Sequence, residues 1–111
     1  MDIHYKRPFV HFVKKANKPL QLVVEDKVIE ICKNPKLGVQ KLGDLQGIFV
    51  YKFRFHQQEY LIAYKFDQST TAMDLIWIHF FQIGSHENFY AELKRFLRQE
   101  QTLGKSKGVK I

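Results

Sequence analysis

The chain has 111 residues, a single cysteine and a net charge of +7 at pH 7, and 45% of its residues are hydrophobic. This composition suits one folded domain and excludes both a disordered chain and a disulfide-stabilised scaffold. The longest apolar run, around residues 75–83, is far shorter than the ~20 residues that a membrane-spanning helix needs, and no signal peptide is visible. We therefore expect a cytoplasmic protein whose charge attracts nucleic acid, an anionic membrane surface or an acidic protein.

The first third of the sequence predicts helices. Residues 1–18 are compatible with a short strand or extended arm followed by a short helix. A second helix is predicted to begin after Asn17, the expected N-cap, with Pro19 in its first turn, and to run to about Lys33. The sequence NPKLG then ends it, because a residue before proline disfavours the helical conformation. Apolar residues recur at helical spacing at Leu20, Val24, Val28 and Ile31.

Three strand-like segments follow a polar connection at residues 39–47. The first, IFVYKFRFH, alternates between aromatic side chains on one face and Lys52, Arg54 and His56 on the other. The second, EYLIAYKF, follows a short turn and is expected to pair with the first as an antiparallel hairpin. The third, AMDLIWIHFFQI, is apolar on both faces, which predicts a central strand or one that is covered on both sides.

The segment GSHENFY, residues 84–90, separates the third strand from a closing helix that is expected to start after Ser85 and to end near Gln101. The predicted fold is therefore α+β: N-terminal helices packed on a small antiparallel sheet of three or four strands, with a closing C-terminal helix. Residues 1–101 form the single predicted domain. Residues 102–111, which contain lysines but no acidic residue, are predicted to form a flexible basic tail.

Few residue patterns indicate chemistry. Gly43 and Gly47 lack the GK[ST] sequence of a phosphate-binding loop, and the histidines and the cysteine show no zinc-ligand spacing, so neither a cofactor nor a metal is expected. Lys52 and Arg54 are neighbours on one strand face. They are either a solvated surface or a phosphate-binding floor, in which arginine supplies two parallel donors and lysine a mobile charge, with nearby aromatic side chains stacking on bases.

His86 is predicted to lie in the first turn of the last helix, where the positive end of the helix dipole lowers imidazole basicity and favours a nearby anion. A histidine with a pKa near ~6.5 exchanges a proton at neutral pH. It is therefore either a proton donor or a surface histidine at a helix start. Tyr90, four residues later, is expected on the same face, where it packs, orients the histidine or stacks on a base.

The stretch NPKLGVQKLGDLQGIFVYKFRFHQQEYLIAYKF, followed by a third strand and GSHENFYAELKRF, resembles the RelE/ParE superfamily of bacterial type II toxins over residues 8–98. The shared features, in order, are a helical hairpin, an NP-x-x-G stretch, an L-x-G turn, a strand like YKIR, a partner strand like YRLLY, a further strand and a closing helix. The resemblance implies the fold above and neutralisation by a small antitoxin protein.

Within the superfamily, GSHENFY is similar to the junction of YafQ-like ribosome-dependent mRNA endonucleases, in which a histidine at the position of His86 donates a proton. An aromatic residue near the position of Tyr90 supports that histidine. RelE itself has arginine at the positions of Leu61 and His86, so the resemblance implies a variant that uses histidine. Lys52 and Arg54 fall on the strand that carries basic active-site residues in these nucleases.

The resemblance thus implies a metal-independent endonuclease that cleaves mRNA on the ribosome and inhibits translation. Lys52 and Arg54 would stabilise phosphate charge, His86 would act as general acid with Tyr90 beside it, and either a basic strand residue or His56 would act as base. The remaining substrate-binding candidates are His56 and Lys94. Two other activities are open: inhibition of DNA gyrase by binding, as in ParE-like members of the fold, or RNA binding without catalysis.

Overall fold

A computed structural model describes residues 2–72 and 74–110, with side chains described as far as Gln101. The helices and strands, in chain order, are β1 (Asp2–Tyr5), α1 (Arg7–Lys15), α2 (Lys18–Lys33), β2 (Val39–Gln40), β3 (Phe49–Phe55), β4 (Gln58–Gln68), β5 (Leu75–Ser85) and α3 (Phe89–Lys110). Short 3-10 turns at Pro35–Leu37 and Gly43–Leu45 flank β2. The strands form one sheet in the order β1-β5-β4-β3-β2. No helix in the described ranges combines the length and apolarity needed to cross a membrane.

Strand β4 lies in the middle of the sheet, and both of its faces are covered. Leu61, Ile62, Ala63 and Tyr64 are completely buried although successive side chains of a strand point in opposite directions. Ile62 and Tyr64 pack under the helical hairpin that α1 and α2 form, and we call this side of the sheet the hairpin face. Leu61 and Ala63 pack under α3, on what we call the α3 face. The molecule therefore has two hydrophobic cores, one on each side of a single sheet.

Helix α2 agrees with its prediction from the sequence. It begins at Lys18, and the Asn17 side chain accepts a hydrogen bond from the Leu20 N–H at 3.1 Å, which satisfies one of the free donors of the first turn. The helix ends at Lys33, directly before the NPKLG sequence. Its buried residues are the predicted ones, Leu20, Val24, Val28 and Ile31.

The α+β fold class is confirmed, but the sheet has five strands and is mixed rather than purely antiparallel. β1, the predicted short strand or arm, pairs parallel with β5. Its Tyr5 ring stacks against Phe9 and Phe80, at centroid distances of 5.3 and 5.5 Å, and this contact holds the arm on the hairpin face. The other additional strand, β2, pairs through only two residues, which is too short to produce an alternating pattern.

The turn between β3 and β4 corrects the predicted orientation of His56. β3 ends at Phe55, and His56 and Gln57 form a two-residue turn with φ angles of 51° and 63°. Two positive φ angles are the signature of the type I′ turn that matches the twist of a tight hairpin. His56 consequently leaves the strand alternation, and its ring packs edge-on against Phe55, a residue of the hairpin face, at 4.2 Å.

The last helix also differs from its prediction at both ends. It starts at Phe89 rather than after Ser85, because β5 continues through Ser85, which pairs with Tyr60. Its backbone continues to Lys110, beyond the predicted end near Gln101, over a segment that contains no proline. Side chains after Gln101 lie outside the described ones, so a flexible basic tail at 102–111 stays a prediction.

The Tyr64 hydroxyl connects the centre of the sheet to the segment that leaves α2. It donates to the Pro35 carbonyl at 2.7 Å and accepts from the Gly38 N–H at 2.9 Å. A Cβ atom at position 38 would lie 2.6 Å from this oxygen, so the close approach requires glycine. Burial raises the pKa of Tyr64 to about 12, because the phenolate would lose its hydration. The NP-x-x-G sequence is thus explained by one buried hydroxyl.

Replacing Tyr64 with phenylalanine is expected to lower the free energy of unfolding by about 1–3 kcal/mol, because a partly buried N–H and a buried carbonyl lose their partner. Urea denaturation followed by circular dichroism measures this change. Tyr60→Phe is the matched control, since the Tyr60 hydroxyl forms no hydrogen bond with any described residue, and it should change stability by less than ~0.5 kcal/mol. Equal losses for both variants would contradict the role of the Tyr64 hydroxyl.

The same hydroxyl predicts a pH dependence. The folded state holds the Tyr64 proton more tightly than the unfolded chain, whose tyrosine pKa is 10.0, so stability is fully present below pH 10 and falls as the pH rises toward 12. Two pH units correspond to about 2–3 kcal/mol for a completely buried group. Tyr64→Phe should show a shallower decrease than the unmodified protein over pH 10–12, and parallel curves would contradict this assignment.

Candidate functional site

Lys52 and Arg54 lie on the α3 face of β3 and project into solvent. Both are exposed, and neither forms a hydrogen bond or ion pair with any residue in the described ranges. Val50, two residues before Lys52 on the same face, is buried under α3, so the helix covers the beginning of this strand and leaves its end open. The two cations are therefore available to an external anion.

Strand register places these cations at the same end of the sheet as the segment that contains His86. Lys52 is opposite Leu61, and Leu61 is opposite Gly84, so the three residues form one row across three strands. At a strand spacing of ~4.8 Å, the backbones of Lys52 and Gly84 are about 10 Å apart. Lysine and arginine side chains that point away from the sheet can span most of such a gap. A phosphodiester lying over this row would be within reach of Lys52 on β3 and of the segment that follows Gly84 on β5.

The structure corrects the predicted position of His86. It is exposed and lies in the bend between β5 and α3, three residues before the first residue of the helix, so it is not part of the first helical turn. Its carbonyl accepts a hydrogen bond from the Phe89 N–H at 3.3 Å, and Asn88 in between has a φ angle of 62°. The imidazole is therefore held by a tight turn before the helix and does not occupy the first-turn position at which the helix dipole was expected to act.

Tyr90 is the residue that the structure brings into contact with His86. Their rings meet edge to face, with centroids 6.2 Å apart. On its other side, the Tyr90 ring lies 5.3 Å from the Lys41 ammonium, an interaction in which the negative face of the ring attracts the cation. Sequence reasoning missed Lys41, because it lies in an irregular polar connection. Its position is fixed by the hydrogen bond of its N–H to the Ile48 carbonyl at 2.8 Å.

The start of α3 is fixed by Gln82, a buried polar residue. Its side-chain amide donates to the Phe89 carbonyl at 2.9 Å. This is possible because the pairing between β4 and β5 contains an irregularity: Ala63 is opposite Gln82, whereas Tyr64 is opposite Phe80, so Phe81 is an extra residue. The bulge turns Gln82 toward the α3 face, and the resulting hydrogen bond holds the turn that carries Tyr90.

Glu59 is a second residue of this surface that sequence reasoning missed. It is directly opposite Arg54 across the β3–β4 hairpin, so the two side chains share the α3 face. The carboxylate is half-buried and forms no hydrogen bond or ion pair with a described residue. The sequence contained a signal for Glu59, because a two-residue turn at 56–57 makes residues 54 and 59 cross-strand partners. A free carboxylate beside a free guanidinium can accept a proton near a bound phosphate.

The two predicted substrate-binding residues are placed differently. His56 contacts Phe55 at the turn between β3 and β4 and contacts none of the other described site candidates. Lys94 lies one turn after Tyr90 on α3, but its ammonium is 3.6 Å from the Asp44 carboxylate. The structure therefore brings His86, Tyr90 and Lys41 into contact and places Lys52, Arg54 and Glu59 on the same face. It leaves His56 and Lys94 outside this group.

Comparisons with known proteins agree with this architecture. Two solved structures share the fold at 13% sequence identity: the intact E. coli RelBE toxin-antitoxin complex, with a TM-score of 0.57 over 78% of this chain and 96% of the matched chain, and the isolated E. coli RelE toxin, with a TM-score of 0.54 over 86% and 97%. Among curated protein sequences, none matches this chain.

The family model for the ParE-like toxin of type II bacterial toxin-antitoxin systems matches residues 3–94, which include the described helices and strands except for Asp2 of β1 and the greater part of α3. The matched region contains the parallel β1 strand, the NP-x-x-G segment held by Tyr64, and the surface formed by Lys52, Arg54 and His86. The chain belongs to the ParE-like toxin family of type II bacterial toxin-antitoxin systems.

Proposed function

We propose that this toxin is a metal-independent endoribonuclease that cleaves mRNA on the ribosome in the cytoplasm and so inhibits translation. The observation that carries the proposal is the open end of the α3 face. Two cations that form no ion pair with a described residue, Lys52 and Arg54, lie there across the sheet from the exposed His86. Holding an imidazole against an aromatic ring in a tight turn does not improve solubility, so this arrangement favours a functional role for His86.

The proposed reaction uses a nucleophile that the RNA itself supplies. The ribose 2′-hydroxyl attacks the adjacent phosphorus, a 2′,3′-cyclic phosphate forms, and the bond from phosphorus to the 5′-oxygen breaks. Lys52 and Arg54 stabilise the negative charge of the phosphorane, which is often the largest catalytic contribution in such reactions. His86 donates a proton to the departing 5′-oxygen, and Tyr90 orients its ring.

We assign the proton acceptor to Glu59. Lys52 and Arg54 stabilise the phosphate as protonated cations and so have no site to accept a proton, and His56 packs against Phe55 at the turn between β3 and β4. Glu59 is opposite Arg54 on the same face, which places a carboxylate next to the cation that holds the phosphate. The 2′-hydroxyl proton passes to this carboxylate as the new oxygen–phosphorus bond forms. Lys41, beside Tyr90, adds a further positive charge for the RNA backbone.

His86→Ala is expected to lower the rate of mRNA cleavage by at least ~100-fold, the usual range for loss of a general acid. The variant should remain folded, because His86 is exposed. Cleavage is measured by primer extension on a translated message in a reconstituted translation system. His11→Ala is the matched control, since His11 is an exposed histidine of α1 to which the mechanism assigns no role, and it should cleave normally.

The same experiment separates the two other activities. A plasmid supercoiling assay with DNA gyrase is run beside the cleavage assay, using the unmodified toxin. Intact translated mRNA together with inhibited supercoiling would show a gyrase inhibitor, and intact mRNA with unaffected gyrase but retained RNA binding would show a non-catalytic RNA-binding module. Either result would overturn the endonuclease proposal.

Glu59→Gln is expected to lower the cleavage rate by about 100-fold while leaving RNA affinity unchanged or slightly higher, because it removes a base and a negative charge but keeps the size of the side chain. Glu87→Gln is the control, an exposed acid beside His86 that the mechanism does not use. Single-turnover cleavage and filter binding separate the two quantities. A Glu59→Gln variant that cleaves at the normal rate would show that the base is elsewhere.

A further inference from the structure

The α3 face has a second uncovered region, on the far side of α3 from the candidate site. At the edge of the helix, Phe81 of β5 packs against Phe96 with ring centroids 6.5 Å apart. Trp77 and His79 come earlier on β5 and share this face, because Ile78 between them packs on the hairpin face. Both rings are half-buried and lie outside the two hydrophobic cores. The mechanism proposed above assigns no role to either of them.

Strand register places an acidic side chain on each side of Trp77. Asp2 on β1 and Asp67 on β4 are both opposite this residue, and paired residues of neighbouring strands share a face. Both carboxylates are exposed, and neither takes part in an ion pair among the residues that the structure describes. The indole therefore lies between two free acceptor groups, on strands that are each about 4.8 Å away. We call these three residues the Trp77 row.

The next row, which we call the His79 row, is basic. His79 is opposite His4 on β1 and the exposed Lys65 on β4. The His4 and His79 rings meet edge to face with centroids 4.8 Å apart, and the Trp77 ring is 4.6 Å from His79. Burial, followed by the positive charges of Lys6 and His4, lowers the pKa of His79. An anion bound beside this ring would therefore neutralise an unfavourable positive potential.

The two rows together match a nucleotide better than they match a simple ion. Alternate residues of a strand are about 6.5 Å apart, a distance comparable to that between the phosphate and the base of one nucleotide. A base stacked on Trp77 would place its edge beside the carboxylates, while its phosphate met the imidazoles and Lys65. A basic peptide matches only the Trp77 row, because the His79 row repels its charge. An anion without a base matches only the His79 row.

We propose that the Trp77 row and the His79 row form a binding site for a guanine nucleotide of single-stranded RNA. Carboxylates accept hydrogen bonds from base amino groups, and guanine presents a ring N–H beside an amino group, so one carboxylate can accept both. Uracil flanks its single N–H with carbonyl oxygens, which a carboxylate repels. The base must be unpaired to present this edge, which indicates a single strand. The site does not rest on the nuclease chemistry, because it requires no reaction of the bound RNA.

Trp77 is the only tryptophan in the chain, so its fluorescence reports directly on this site. The protein is titrated with guanosine 5′-monophosphate and, separately, with uridine 5′-monophosphate. The guanine nucleotide should quench the emission along a saturable curve, with a Kd at least ~10-fold lower than that of the uracil nucleotide. Equal Kd values, or quenching that does not saturate, would overturn the proposal. Tighter binding of arginine methyl ester would also overturn it and would assign the surface to a basic peptide.

A double variant tests the role of the two carboxylates. Asp2→Asn combined with Asp67→Asn should remove most of the preference for guanine, because a neutral amide no longer accepts both guanine N–H groups or repels the uracil oxygens. The matched control is Asp26→Asn combined with Asp74→Asn, which makes the same change of charge at two exposed acids outside both rows. It should retain the preference. Equal loss of the preference in both double variants would contradict recognition of the base by the Trp77 row.

Lys65→Ala should raise the Kd of both nucleotides by a similar factor, because a phosphate contact carries no information about the base. Lys36→Ala, at another exposed lysine, should leave both values unchanged. A change for only one nucleotide would contradict the assignment of the phosphate to the His79 row. The titrations contain neither ribosome nor message, so they test this site even for a toxin that cleaves no mRNA. Failure of the nuclease proposal is thus distinguishable from failure of the nucleotide site.

Discussion

The double-sided burial of β4 is the constraint on which the rest of the architecture depends. Four consecutive residues, Leu61 to Tyr64, are completely buried, so helices must cover both faces of the sheet. A chain of 111 residues has few elements with which to do this. The α1–α2 hairpin covers one face and α3 the other, and each leaves part of its face open. Two open regions are the basic surface around Lys52 and Arg54 and an apolar groove bounded by β1, α1 and α2, and both result from a small protein covering a wide sheet.

The two faces also differ in chemistry. On the α3 face the exposed residues include the cations Lys52 and Arg54, with His86 at the adjoining bend, which suits a charged ligand. On the hairpin face they include the apolar residues Leu22 and Ile29, with lysines nearby, which suits a protein. Because the sheet separates the two surfaces, each can change in sequence without altering the other.

Local signals predicted much of the fold. Asn17 and Pro19 fixed the start of α2, and the alternation of β3 with a short turn fixed the hairpin, because capping and period-two patterns act over a few residues. Long-range pairing had no such signal. β1 joins β5 across more than seventy residues of chain through the stacking of Tyr5 on Phe80. The site was predictable in part: Lys52 and Arg54 follow from alternation, whereas Lys41 meets Tyr90 only through tertiary packing.

The bulge at Phe81 has a consequence for how such a site is inherited. Side chains of a strand alternate with a period of two, so an extra residue shifts the residues after it by one position relative to uninterrupted alternation. Phe81 and Gln82 both lie on the α3 face, so Ile83 packs on the hairpin face and Gly84 lies in the Lys52 row. Deleting Phe81 would restore regular alternation, with Gln82 following Phe80 and still opposite Ala63, and would leave these faces unchanged. The bulge is thus a point at which the strand can lose one residue without exchanging the faces of the site.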